Sequence, residues 1–481
     1  MPEILLATIN AKWIHPSLAL RLLKSNLGQL EERSGLAEFN LRQPVAEQVD
    51  AISKARPRIL AFSVSIWNHA ATLALLRALD ALWAASGPRP LVVLGGPEAA
   101  NLDEKAPLLA ECDWLLRGEG DLAFRELCSA LLAGGEPRPG GAIDRVRRVQ
   151  ASRNGSPAAF AIAEASPVDP AAIDSGYRLY TEEDLAHKLC YVEASRGCPF
   201  GCEFCLSSLD RRVREFPLEG FFRDMEGLLA RGARSFKFLD RTFNLDAVRA
   251  AAIMEFFLPR FRPDMFVHFE ILPSIFPRRL LDIACRFPAG SLRLEAGIQT
   301  LDPAVAANIG RRSQPEAELD TLRHLRDHGS AIVHADLIAG LPGETFGSFA
   351  RGFDLLFACG PDEIQLGMLK RLPGTPIARH DIPFSMRYSS DPPYEVVSTS
   401  SMDAGEVARL RNFSRFWELI INRGNFPGFT EAFLGGNEDS AFGRFLGIAD
   451  GLLGRFGRSW GIDRSELRAA LEPFARIRLE P

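Results

Sequence analysis

The feature that most constrains the fold is the repeated alternation of short apolar runs with helical patterns. In the first third of the chain, the helical patterns include Pro16–Leu27 and Ala70–Ala84. Strands that alternate with helices form βαβ units and a parallel sheet. This region is therefore predicted to form an open α/β sheet, with strands at Glu3–Ile9, Arg58–Ile66, Pro90–Leu94 and Asp113–Leu116.

The same alternation returns in the middle of the chain, where six strand-like runs are each followed by helical sequence. Six consecutive βα units predict a partial barrel, smaller than the eight-fold one. In both kinds of sheet, ligands bind at the carboxyl ends of the strands. The six predicted strands are Leu189–Ala194, Ser235–Leu239, Met265–Ile271, Ser291–Ala296, Ala331–Ile338 and Glu363–Leu369.

Two further segments have a different pattern. Residues 136–185 contain Gly-Gly, Asn-Gly, Ser-Pro and Asp-Pro pairs, which are typical of loops. Near the carboxy terminus, Asp403–Ile421 and Ser465–Arg478 have helical patterns. The predicted domains are an α/β sheet at 1–135, a linker at 136–185, the partial barrel at 186–380 and a mostly α-helical accessory domain at 381–481.

Composition excludes several classes of protein. The chain has 481 residues and a net charge of −5, with 47% hydrophobic residues. These values are ordinary for a globular protein and argue against a general nucleic-acid or anionic-membrane coat. The start, MPEILLATIN, lacks the basic region of a signal peptide. No apolar stretch approaches the roughly 20 residues of a spanning helix, so we expect a cytoplasmic protein without a transmembrane segment.

The strongest chemical signal is a C-x3-C-x2-C motif directly after the first predicted barrel strand. Its cysteines are Cys198, Cys202 and Cys205. Three thiolates on one short loop can hold three irons of a [4Fe–4S] cluster and leave the fourth iron open. A zinc site is the alternative, with Cys190 or His187 as the fourth ligand. The remaining cysteines, which are predicted to be core residues, are Cys112, Cys128, Cys285 and Cys359.

With these units and this motif, the chain resembles the radical S-adenosylmethionine superfamily. The resemblance implies that the three cysteines hold the cluster and that the open iron chelates S-adenosylmethionine. Phe204 matches the aromatic position before the third cysteine. The implied chemistry is reductive cleavage of S-adenosylmethionine to a 5′-deoxyadenosyl radical, which abstracts hydrogen from a substrate.

Segments after the later strands are similar to cofactor-contacting segments of that family. The resemblance implies contacts from residues after the second, fourth and fifth strands, and a charge-assisted pair from two arginines to the cofactor carboxylate. The alternative for each is a cap, an ion pair or a solvated helix face. The candidates are Asp240, Glu295, Gln299, Gly340, Gly343, Arg311 and Arg312.

The amino-terminal region resembles the Rossmann-like domain of cobalamin-binding radical S-adenosylmethionine enzymes, and Pro392–Val397 is similar to an uncharacterised subfamily with an added helical domain. The D-x-H-x-x-G signature, whose histidine ligates cobalt, is absent. Trp13, Trp67 or His15 could approach the cobalt, although a lone loop histidine is more often a capping residue. The candidate cobalamin contacts at the predicted strand ends are Asn10, His15, Trp67, Gly95, Gly96 and Glu119.

His324 and His328 have the i, i+4 spacing of a zinc pair. Gly329 follows at once, so the favoured interpretation is a helix end, where histidines suit the dipole.

Two functions follow from this resemblance, and a third would fit the cysteine loop alone. The first is cobalamin-dependent C-methylation by a radical S-adenosylmethionine enzyme. The second keeps the cofactors but performs oxidative cyclisation or rearrangement without methyl transfer. The third is a non-catalytic iron–sulfur redox sensor. The expected partners are a small-molecule, lipid or peptide substrate and an electron donor such as flavodoxin or ferredoxin. No basic, aromatic-interleaved stripe indicates nucleic acid.

Overall fold

The computed structural model describes residues 1–153, 156–434 and 440–475 of the chain. The chain forms two compact units. The first contains Met1–Gly197, Arg212–Leu239 and Leu372–Gly374. The second contains Cys198–Arg211, Asp240–Arg371 and Thr375–Pro481.

Strands and helices alternate in the first unit, as the sequence predicts. The strands are β1 Ile4–Asn10, β2 Ser34–Asn40, β3 Ile59–Ser63, β4 Leu91–Gly95, β5 Trp114–Arg117, β6 Ile143–Arg153, β7 Ser156–Ala165, β8 Cys190–Val192, β9 Ser195–Arg196, β10 Arg214–Glu215 and β11 Ser235–Phe238. The helices are α1 Leu18–Ser25, α2 Val45–Ala55, α3 His69–Ser86, α4 Gly120–Leu132, α5 Glu182–His187 and α6 Leu218–Ala230.

The large sheet of this unit has the strand order β2-β1-β3-β4-β5-β7-β6. Its strands are parallel apart from β6, which pairs antiparallel with β7. Successive residues of β1 point to opposite faces: Leu5 and Ala7 join an apolar cluster with Leu75 of α3, while Ile4 and Leu6 join another cluster. Helices thus cover both faces, as in doubly wound sheets.

One sequence prediction for this unit is wrong, and one strand of the unit was not predicted. Residues 136–185 are not a loop throughout, because they contain β6 and β7 of the large sheet. Strand β6 is rich in arginine, and Ile143 is its one fully buried residue, so it lacks the apolar run by which a buried strand is recognised. Strand β2 was missed because SGLAEFN is only partly buried and contains a glycine. The predicted domain boundaries stay a prediction.

The second unit begins with the cysteine loop and continues through the later βα units. Its strands are β12 Phe266–Ile271, β13 Leu292–Gln299, β14 Ile332–Ala339, β15 Glu363–Met368, β16 Arg387–Tyr388 and β17 Val396–Ser398. Its helices are α7 Ala247–Phe257, α8 Arg278–Ala284, α9 Pro303–Asn308, α10 Pro315–His328, α11 Phe346–Ala358, α12 Ala404–Trp417, α13 Pro427–Leu434, α14 Ala441–Phe456 and α15 Arg464–Ala475. The end of the predicted helix Ser465–Arg478 lies outside the described residues.

Strands β12 to β15 form parallel neighbours in sequence order. All six predicted strands of the middle region are present, β8 and β11 in the first unit and β12 to β15 in the second. In β13, fully buried Leu292 and Leu294 alternate with half-buried Arg293 and Glu295. Strands of parallel sheets usually have continuous apolar sequences because both of their faces are buried. Strand β13 differs, because its apolar residues alternate with charged ones. One face of this sheet is therefore apolar, and the other carries charged side chains.

Aromatic helices cover the edge strand β15. Trp417 of α12 stacks on Phe413 at 5.9 Å and meets Phe353 of α11 edge-on at 4.9 Å. The Ser414 hydroxyl donates to the carbonyl of Leu366 at 2.6 Å. The Asn422 amide, in the π-helical turn Glu418–Asn422, donates to the carbonyl of Ile364 at 3.0 Å. Side chains thus satisfy edge carbonyls that have no strand partner.

The scattered cysteines and the end of helix α10 bear on smaller predictions from the sequence. Cys112, Cys128 and Cys359 are buried as expected, and burial raises the pKa of each thiol, whereas Cys285 is partly exposed. Helix α10 ends at His328 with Gly329 as its C-cap, which agrees with the helix-end interpretation. Across the described ranges, no helix combines the length and apolar character needed to cross a membrane.

Candidate active site

The cysteine loop begins where the backbone demands a glycine. Gly197 has φ +89, and a Cβ there would overlap the carbonyl oxygen of Arg212. A side chain at this position is therefore excluded. Further along, the amide of Cys205 donates to the carbonyl of Cys202 at 3.0 Å. The loop is consequently tight, and all three motif cysteines keep partly exposed thiols.

A cavity of the second unit is lined by the three motif cysteines and by charged side chains from the strand ends. Its lining is Cys198, Phe200, Cys202, Phe204, Cys205, Ser207, Ser208, Arg241, Thr242, Glu270, Ile271, Leu272, Glu295, Gly297, Gln299, Arg311, Arg312 and Asp336. The Cys198 sulfur lies 3.6 Å from the Thr242 hydroxyl. The cavity thus brings together motifs that are far apart in the chain.

Sheet register explains why carboxylates converge at this cavity. Glu270 of β12 pairs with Glu295 of β13, and Asp336 of β14 pairs with Gly297 of β13. Residues at alternate positions face the same side of a strand. The carboxyl ends of three neighbouring strands therefore present three carboxylates to the space that the thiols line.

Arg311 is the buried cation of the cavity. Its guanidinium donates to the carbonyl of Gly297 and lies 3.6 Å from Glu318, and both charged side chains are under one-tenth exposed. Burial raises the pKa of the Cys202 thiol, and the nearby Arg311 guanidinium opposes that rise. The alternative that Arg311 lies on a solvated helix face is wrong. Arg312 lines the cavity and remains exposed.

Three predicted residues do not line the cavity. Asp240 is only 3% exposed and is not among the residues that line the cavity. Gly340 and Gly343 both have φ +83, so they shape the turn after β14. Sequence reasoning also missed Glu270 as a site residue, although its place near the end of β12 mirrors that of Glu295 in β13. That shared position was the available signal.

In the first unit, exposed aromatic side chains mark the carboxyl edge of the large sheet. Chain order reverses between β1 and β3, which defines the topological switch point where open sheets bind ligands. Trp13 follows β1 and is 47% exposed, and Trp67 follows β3 and is 53% exposed. At the next strand end, Gly96 has φ +91, and a Cβ would lie 2.7 Å from the Val64 nitrogen.

Other predicted residues of this edge are engaged within the protein. His15 Nδ1 lies 2.7 Å from the Tyr191 hydroxyl, and burial lowers the pKa of the imidazole. The Asn10 amide donates to Glu38 at 3.2 Å. Glu119 accepts two hydrogen bonds of 2.6 Å from Arg214 and one from the Val168 amide. Of the predicted cobalamin contacts, Trp67 thus has the most exposed side chain.

Both groups of residues fit the cofactors that the sequence implies. Three thiols that share one cavity match the donor set of a [4Fe–4S] cluster with one iron left open. Two large exposed indoles beside a switch point match a flat, largely apolar ligand such as a corrin ring.

Comparisons with known proteins agree with this geometry. The family model of the Radical SAM superfamily matches residues 192–356. The model of the B12 binding domain matches residues 4–128. The cobalamin-dependent radical SAM methyltransferase TokK of Streptomyces tokunonensis is 28% identical over 387 residues, which are 74% of this chain and 54% of TokK. The chain thus spans about half the length of the curated relatives it matches.

Solved structures share the fold. The radical S-adenosylmethionine methyltransferase TsrM of Kitasatospora setae, with cobalamin and a [4Fe–4S] cluster bound, aligns with a TM-score of 0.61 and 17% identity over 99% of both chains. The cobalamin-dependent S-adenosylmethionine radical enzyme OxsB aligns with a TM-score of 0.67 and 13% identity over 99% of this chain and 75% of OxsB.

The cysteine loop at the strand ends and the matching family model define a radical SAM enzyme. The radical SAM domain brings a [4Fe–4S] cluster and S-adenosylmethionine as cofactors. More particularly, the chain combines a Radical SAM superfamily domain with a B12 binding domain, which brings cobalamin. The predicted fold class, enzyme class and cofactor set are thereby confirmed.

Proposed function

We propose that the protein is a cobalamin-dependent radical SAM methyltransferase that places a methyl group on a substrate carbon. The observation that carries the proposal is the cavity at which three thiols, a buried arginine and three carboxylates meet. The B12-binding domain and the similarity to TokK, a methyltransferase of the same cofactor class, support the choice of reaction.

Different residues of the cavity would bind the cluster and the carboxylate of S-adenosylmethionine. When bound, the cluster supplies the electron that cleaves S-adenosylmethionine into methionine and a 5′-deoxyadenosyl radical, and cobalamin carries the methyl group. Cys198, Cys202 and Cys205 would ligate three irons. Arg311 and Arg312 would pair with the carboxylate of S-adenosylmethionine, because guanidinium groups bind carboxylates through charge-assisted hydrogen bonds.

The carboxylates of the cavity would bind polar groups of S-adenosylmethionine, and its phenylalanine side chains would exclude water. Glu270, Glu295 and Asp336 offer acceptors to the amino and ribose hydroxyl groups of S-adenosylmethionine. Phe200 and Phe204 would exclude water from the reacting carbon, which limits side reactions of a radical. An electron donor such as flavodoxin or ferredoxin is the proposed reductant. A cytoplasmic location stays a prediction.

The decisive experiment is anaerobic and uses the protein reconstituted with iron, sulfide and cobalamin. After addition of dithionite and S-adenosylmethionine, 5′-deoxyadenosine and S-adenosylhomocysteine are quantified. Methylation predicts both products, the second only when cobalamin is present. Deoxyadenosine alone would favour cyclisation or rearrangement. Neither product from a fully loaded cluster would favour the redox sensor.

A matched control removes the three thiols together. The variant Cys198→Ala/Cys202→Ala/Cys205→Ala should keep its circular dichroism spectrum but assemble no cluster and cleave no S-adenosylmethionine, because the iron ligands are gone. Cleavage that persists in this variant would refute the assignment of the motif.

A further inference from the structure

An ion-pair cluster holds the cysteine loop from outside the cavity. Glu203 stands between Cys202 and Phe204, yet its side chain does not line the cavity with theirs. Its carboxylate lies 2.8 Å from His380 Nε2, accepts a hydrogen bond of 2.8 Å from Arg379 Nε and forms an ion pair of 2.5 Å with Arg379 Nη2. Both partners belong to the 3₁₀ turn Pro376–His380. The acidic side chain within the cysteine motif thus contacts a segment that follows strand β15.

The backbone of Glu203 is fixed from two sides. Its amide donates to the carbonyl of Ile309 at 3.0 Å, and its carbonyl accepts from the amide of Ile377 at 3.0 Å. On the Ile309 side, Gly310 has φ +66, and a Cβ there would lie 2.8 Å from the carbonyl oxygen of Gly201. Only glycine permits so close an approach. The middle of the cysteine loop is therefore clamped between two turns of the second unit.

Because Glu203 is buried, its contacts with Arg379 and His380 affect the stability of the loop conformation. Glu203 is 8% exposed and His380 is 6% exposed. A buried carboxylate is costly unless it is paired and hydrogen-bonded. The loop conformation that delivers Glu203 to Arg379 and His380 is consequently favoured over conformations that leave the carboxylate unpaired.

We propose that Glu203, through Arg379 and His380, is a positioning residue that holds the cysteine loop in its cluster-binding conformation. It touches no reacting atom and acts through the placement of its neighbour Cys202. The proposal rests on the cluster of the proposed function but not on methyl transfer. It also assigns a role to the turn Pro376–His380, which no strand-end motif covers.

The test compares three variants with the wild type: Glu203→Ala, Glu203→Gln and His380→Ala. Each protein is reconstituted anaerobically, and its iron content and the rate of cluster loss to a chelator are measured from the visible absorption of the cluster. We expect Glu203→Ala to lose the cluster about tenfold faster, since a hydrogen bond to a buried charge is removed. Glu203→Gln keeps an acceptor and should recover part of the difference.

A double variant distinguishes positioning from general weakening. Because Glu203 and His380 act as one unit, Glu203→Ala/His380→Ala should lose the cluster no faster than Glu203→Ala, whereas independent effects would multiply. The change that S-adenosylmethionine causes in the electron paramagnetic resonance spectrum of the reduced cluster should also be altered in Glu203→Ala. Multiplying effects, or an unaltered spectral change, would overturn the proposal.

Asp450→Asn is the matched control, because Asp450 pairs with Arg409 at 2.6 Å through side chains that are both exposed and lie in the same unit. It should retain the cluster like the wild type. Equal retention by Glu203→Ala and Asp450→Asn would contradict the proposal. A failure of methyl transfer would leave all these measurements unchanged, so the two proposals can fail separately.

Discussion

Glu344 is a fully buried carboxyl group in the turn after β14, and it offers a sharp test of the structure. Its two oxygens accept hydrogen bonds from the Gly340 amide at 3.1 Å and the Thr300 hydroxyl at 3.5 Å. Burial raises the pKa of Glu344 from 4.5 to about 8, although the amides of Gly340 and Leu341 oppose the rise. We therefore expect a neutral carboxylic acid here at pH 7.

The raised pKa sets the sign of the pH dependence. Between pH 4.5 and about 8, folded Glu344 keeps a proton that the unfolded chain has released. The folded state therefore binds more protons, and stability falls as pH rises through this window. At about 1.4 kcal/mol for each pKa unit, the loss reaches about 5 kcal/mol at pH 8. Glu344→Gln cannot ionise, so it should lack this loss.

Hydrogen exchange measured by mass spectrometry on peptides that cover Gly340–Thr345 reports the local opening free energy. The ratio of opening constants, wild type to Glu344→Gln, should be near one at pH 5 and rise steeply towards pH 8. Glu316→Gln, on the exposed first turn of α10, controls for the loss of one acid. A ratio that stays constant from pH 5 to pH 8 would refute the reasoning.

Three further outcomes are expected. Gly96→Ala should lower the stability of the first unit by about 1–3 kcal/mol in thermal unfolding, because its φ of +91 brings a Cβ against the Val64 backbone; an unchanged midpoint would contradict this. Although burial opposes it, the hydrogen bond from Lys188 lowers the pKa of Asp184 to about 2. The stability it adds is present above pH 3.8 and lost as pH falls to about 2, so Asp184→Asn should flatten the acid unfolding curve. Arg312→Gln should weaken S-adenosylmethionine binding about tenfold in anaerobic calorimetry without altering thermal unfolding; equal affinity would remove Arg312 from the site.

Strands that are buried on at least one face were predictable, and strands with little burial were not. The run Ala331–Ile338 and the observed β14, Ile332–Ala339, differ by one residue at each end. By contrast, β6 lies at a sheet edge, and Ile143 is the one residue of this strand that is fully buried. Hydrophobic periodicity reports burial, so a strand without a buried face gives no signal.

Site residues that are close together in sequence were predictable, whereas contacts between residues far apart in sequence were not. The spacing of Cys198, Cys202 and Cys205 is local, and it identified the cavity. The contact between Glu203 and His380 joins residues 177 positions apart. Neither residue type nor spacing indicates such a pair, because only the folded chain brings them together. Asp240 shows the converse: its position after a barrel strand suggested a site residue, yet the side chain is 3% exposed and is not among those that line the cavity.

The covering of strand β15 has a consequence for how the chain is made. Ser414 and Asn422 satisfy carbonyls of β15, but they follow it in the sequence and leave the ribosome later. Until α12 has been synthesised, the nascent chain presents an open edge that can pair with another polypeptide. Stalled or truncated products that end before α12 are therefore the forms of this protein most exposed to aggregation and most dependent on chaperones.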